Sequence, residues 1–148
     1  MNENELRALV EEGVSGYDKI IYSFIVEKDF AHARDYAERK MDFIVEEYLD
    51  MSDEDLALIA YAFAMTGNFE SAEATLDVLY EDGDVMKTVD KLNLFGSMAA
   101  ALCFQKVHNK GMKRVMLEQT LSFAPDASHC GADEVVLAQA KEMLEERV

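Results

Sequence analysis

Apolar residues recur three and four positions apart along most of this chain, between stretches that carry helix start and stop signals. That spacing lines one face of an α-helix, whereas a half-buried strand needs alternation at every second residue. No stretch alternates in that way. Asn2 with Glu5, and Ser52 with Asp55, are capping pairs that satisfy the free N–H groups of a helix start. Gly13, Gly67 and Gly83 stand where helices can end in a left-handed residue. The clearest face is Phe30, Ala33, Tyr36, Ala37, Met41, Ile44, Val45 and Tyr48. A long helix is predicted from near Thr88 to near His108, with Gly111 separating it from the next. A final helix is predicted over about Asp133 to Glu146. The whole pattern predicts an all-α domain spanning 1–148, with about eight helices in antiparallel hairpins joined by short connections.

Half of the 148 residues are hydrophobic, enough for a real core, and a single proline leaves the helices few interruptions. Thirty acids against 14 bases give a net charge of −16. Phosphate backbones and anionic membrane surfaces both repel such a chain, so direct nucleic-acid or membrane binding is not expected. Basic protein surfaces attract it. Cys103 and Cys130 make no disulfide framework. The first ten residues carry Glu3 and Glu5 and lack the apolar core of a secretory signal. No segment reaches the length of about 18 apolar residues that a membrane span needs. A cytoplasmic location is therefore expected.

Between Leu56 and Asp84 the pattern becomes specific. Leu56, Ile59, Ala60 and Phe63 are followed by Gly67-Asn68-Phe69-Glu70-Ser71-Ala72, then Leu76 and Leu79. This unit resembles a tetratricopeptide repeat, in which a small residue on each helix, here Ala60 and Ala72, lets the two approach closely. Lys28-Asp29-Phe30-Ala31-His32-Ala33 is similar, with Lys28 in place of the usual glycine. Ala101, Phe104, Leu117, Thr120 and Pro125 make a third unit, with a longer turn expected around Asn109 to Met112. Asp29 and Asn68 are 39 residues apart, more than the repeat's period of roughly 34. The resemblance implies a right-handed array of helical hairpins with a C-terminal capping helix. Size, acidity and three helix pairs also resemble, loosely, the tetratricopeptide chaperones of type III secretion.

Such arrays hold a partner's peptide or helix in the groove lined by the first helix of each pair. Carried over, the resemblance implies Asp18, Tyr22 and Ile25 from the first unit, Ala57, Tyr61 and Ala64 from the second, and Met98, Leu102 and Gln105 from the third. Tyr61 is the most pointed candidate, because its hydroxyl needs water or a partner. The expected activity is non-enzymatic: an adaptor or chaperone-like module that binds another protein, with a homo-oligomer also open. Charge suggests an alternative. Met41 to Met86 holds thirteen acids and no base, whereas Lys87 to Thr120 holds six bases and two acids. An acidic patch of Glu70, Glu73, Asp77, Glu81, Asp82 and Asp84 would suit a regulator or inhibitor, for example phage-encoded, that masks a basic or nucleic-acid-binding surface. The plainer explanation is solvated helix faces with acids favoured at helix starts, which fits Asp53, Glu54 and Asp55. No zinc-ligand spacing, calcium loop, phosphate-binding glycine loop or convergent catalytic pair is visible, so no metal, cofactor or catalytic residue is expected.

Overall fold

Nine α-helices and no strand form among the described residues of a computed structural model, which are 1–146 without the side chain of Glu81. The helices are α1 (Glu3–Glu11), α2 (Val14–Val26), α3 (Phe30–Glu46), α4 (Asp53–Met65), α5 (Phe69–Leu79), α6 (Val85–Thr88), α7 (Leu94–Lys106), α8 (Lys110–Leu121) and α9 (Ala132–Glu145). The hairpins are α2 with α3, α4 with α5, and α7 with α8. They stack through α3 against α4 and through α4 and α5 against α7.

One turn is used three times. Asp29 N donates to Phe24 O at 2.8 Å, Asn68 N to Phe63 O at 3.0 Å, and Asn109 N to Phe104 O at 2.9 Å. In each turn the residue just before is left-handed, Lys28 at φ 59°, Gly67 at 80° and His108 at 60°. Each Asp or Asn then caps the following helix by accepting from the N–H three residues on, at 3.1–3.2 Å. The third turn is therefore the same length as the others, not longer as expected. Gly111 lies inside α8 because Asn109 starts that helix two residues earlier.

The long helix expected from Thr88 begins instead at Leu94, where Asn93 caps it by accepting from Gly96 N at 2.8 Å. The residues before it form short helical turns, including α6, which brings the number to nine. At the other end, α1 turns onto α2 beside Gly16. A Cβ there would sit 1.6 Å from the Leu9 carbonyl oxygen, so no side chain fits.

Helices α4 and α7 are the centre of the molecule. Ala57 to Ala64 are all buried along α4, as are Leu94 to Ala101 along α7. A helix apolar all round has no solvent face, and runs such as Ala99-Ala100-Ala101 allow neighbours on every side. Ala60 and Ala72 are both fully buried, as close approach of α4 and α5 requires. Polar groups inside the core are paired. Ser97 on α7 meets Thr120 on α8 at 2.8 Å. Lys40 of α3 is 1% exposed and bridges Asp18 of α2 at 2.5 Å and Asp55 of α4 at 2.6 Å, tying three helices together. No helix among the described residues is long and apolar enough to cross a membrane.

Candidate functional site

α2, α4 and α7 contribute the nine residues expected to line a groove, and α9 is a neighbour of two of these helices. It packs on α2, α7 and α8. Its Gln139 accepts from the Tyr61 hydroxyl of α4 at 3.2 Å and places its amide 3.2 Å from Met65 Sδ. Farther along, Glu146 lies 3.9 Å from Lys113 of α8. Besides packing on α2, α7 and α8, α9 therefore reaches α4 through Gln139.

Most of the nine are withdrawn from solvent. Ile25, Ala57, Tyr61, Ala64 and Met98 are buried, Asp18, Tyr22 and Leu102 are half-buried, and only Gln105 is exposed. Tyr61 is 0% exposed, with its ring edge-on to Phe95 at 5.4 Å. The hydroxyl that looked in need of water or a partner has one within the chain. Burial raises its pKa above the usual tyrosine value.

Tyr22 leads to a different site. Its ring stacks on His129 at 4.5 Å and on Phe95 at 5.8 Å. Beside this stack is a cavity of about 380 Å³, lined among others by Tyr22, Glu54, Phe95, Phe123, Asp126 and Asp133. A three-residue turn, Ala127–His129, delivers His129 to the cavity. Asp133 fixes it, since its Oδ1 lies 2.7 Å from His129 Nδ1 while its Oδ2 accepts from Asp126 N at 2.7 Å. A carboxylate only accepts, so Nδ1 carries the proton and Nε2 is left 3.7 Å from Asp126 Oδ2. Asp126 accepts from the hydroxyl and N–H of Ser128, which hold its carboxyl below the usual range.

The electrostatics of the cavity are negative. Burial raises the Tyr22 phenol well above its ordinary value, and Asp18, Asp133, Glu54 and Asp126 all push it further in the same direction. Lys40 supplies one positive charge to two carboxylates behind Tyr22. Burial also raises Asp18, more than Lys40 lowers it.

Glu54, Phe95, Asp126, His129 and Asp133 were not among the candidate site residues read from the sequence. A signal existed: Asp126 and Asp133 stand three before and four after His129, near enough along the chain for a turn before α9 to bring the side chains together. Of the acidic patch, Glu70, Glu73, Asp77, Asp82 and Asp84 are exposed, and the side chain of Glu81 lies outside the described residues. Asp84 accepts from Met86 N at 3.0 Å and caps α6, and Asp82 lies 3.7 Å from Lys87. Among the described residues no group of three His, Cys, Asp or Glu is placed to hold a metal. A second, more apolar cleft of about 670 Å³ runs beside α9, with Val26, Phe30, Met65, Val135 and Ala138 in its walls.

No protein family, curated protein or solved structure matches the chain.

Proposed function

We propose that the protein is a non-enzymatic module that binds a segment of another protein, built on three tetratricopeptide-like hairpins in a right-handed array that α9 closes. The observation that supports this reading is the packing of α9, which docks as a helix on α2, α7 and α8 and bonds α4 through Tyr61 and Gln139. The guest is an amphipathic segment with a basic flank. It lies alongside α9 in the apolar cleft of Val26, Phe30, Met65, Val135 and Ala138, whose walls also carry Glu134 and Glu142. Its apolar residues leave water while Lys or Arg meets the two glutamates.

Ala138 is exposed, so Ala138→Trp fills the cleft without entering the core. Helical peptides selected on the full chain are expected to bind the variant at least tenfold more weakly by fluorescence anisotropy, with melting unchanged. Unaltered affinity would refute the assignment. A second reading, an acidic regulator masking a basic surface, is favoured by the exposed stripe of Glu70, Glu73 and Asp77 on α5. Salt separates the two: cleft binding persists at 0.5 M salt, where the screening length is only a few ångströms, and charge masking collapses.

A further inference from the structure

We infer that the cavity beside Tyr22 and His129 receives an organic cation, an ammonium or guanidinium group carried on a short aliphatic stem. The cavity is present with α9 in place, so this inference is independent of the cleft reading above. Its volume of about 380 Å³ takes such a head group with several methylenes. Its walls combine aromatic rings, from Tyr22, Phe95 and Phe123, with the carboxylates of Glu54, Asp126 and Asp133. Ring faces attract cations within about 6 Å, and far more so once water is excluded. The carboxylates supply the charge that keeps the cation in its ionised form.

Other ligand classes fit worse. Phosphates and carboxylates meet repulsion from Glu54, Asp126 and Asp133 in the walls. A metal ion needs converging ligands, whereas Asp126 and Asp133 already accept from Ser128, His129 and the backbone N–H of Asp126. A neutral apolar ligand would desolvate Glu54 with nothing in return. Among the described residues, no group hydrogen-bonds the Tyr22 hydroxyl, which leaves its oxygen open to an N–H donor.

The test uses the full chain and ring-carbon NMR signals of His129 and Tyr22. The probes are N-acetyl-lysine methylamide, N-acetyl-arginine methylamide and cadaverine, with N-acetyl-norleucine methylamide as the neutral control. The cations are expected to give saturable shifts of both rings, and the control none. Tighter binding of the amides assigns the site to a partner's side chain, and tighter binding of cadaverine assigns it to a free amine. Glu54→Gln should weaken the best probe at least tenfold, whereas Glu46→Gln, the same loss of charge on α3, should leave it unchanged. Shifts that do not saturate, equal shifts with norleucine, or equal effects of the two variants would overturn the inference.

Discussion

Replacing Lys40 with methionine is the sharpest perturbation the fold offers. The side chain is 1% exposed and holds Asp18 and Asp55 from neighbouring helices. Methionine fills the space but leaves two carboxylates facing each other without a counter-charge. Breaking a buried ion pair in this way costs about 3–5 kcal/mol. At about 3 °C per kcal/mol for a domain of this size, melting should fall by about 9–15 °C. The two acids do not contribute alike. Burial pushes Asp55 up, but its bonds to Lys40 and to the N–H and hydroxyl of Ser52 outweigh that, and its pKa ends below 3.8. Asp18 lacks the Ser52 bonds and ends above its ordinary value. Ionised Asp55 therefore adds stability above about pH 4 that is lost as pH falls through its lowered native value. Ionised Asp18 subtracts stability above its unfolded value. Asp55→Asn should thus destabilise more than Asp18→Asn at pH 7. The gap between wild type and Lys40→Met should narrow on acidification, as protonation removes the carboxylate charges that Lys40 offsets. Calorimetry from pH 3 to pH 8 measures all of this. A loss of under 2 °C for Lys40→Met at pH 7, or a gap that widens on acidification, would refute the reasoning.

The repeated turn predicts that Lys28→Gly and His108→Gly each stabilise by about 1 kcal/mol, since both positions are left-handed and glycine removes the steric penalty. Urea unfolding midpoints would report it, and Gly67→Ala should move in the opposite direction. Ala60→Leu should overpack the contact of α4 and cost about 1–3 kcal/mol in the same assay. Tyr61→Ala, at a site 0% exposed, should cost about 3–5 kcal/mol and not behave as a surface change. Burial pushes the Cys103 thiol up to about 12, whereas Cys130 is exposed. Iodoacetamide at pH 8 should therefore alkylate Cys130 in the native protein and spare Cys103, as read by peptide mass mapping.

Helices, hairpins and the small residues between them were legible because each leaves a local mark: spacing, a cap, a left-handed residue. Lys40 carried a mark as well. It stands three after Ala37 and four before Ile44, on the buried face of α3, a position that signals a paired lysine. The groove assignment drew on α2, α4 and α7 but did not anticipate how deeply most of its nine residues are buried. Nothing in the composition of Ala132 to Glu145 distinguishes a helix that caps an end from one that crosses the face, because both bury a narrow stripe such as Val136 and Ala140. The acid–aromatic cavity was hidden for a related reason. Its members come from four stretches of chain, and only the Asp126–His129–Asp133 spacing is local.

Closure by α9 also sets an order of events. Each hairpin joins neighbours in sequence and can form as soon as its two helices have been synthesised, whereas Gln139 must find Tyr61 across 78 residues. Until α9 docks, the surface that it covers on α2, α7 and α8 is bare, and growing chains are at their most adhesive before its fourteen residues have emerged. A stop codon placed just before Ala132 should therefore yield a product that clings to chaperones or to its own copies more than the chain with α9 does.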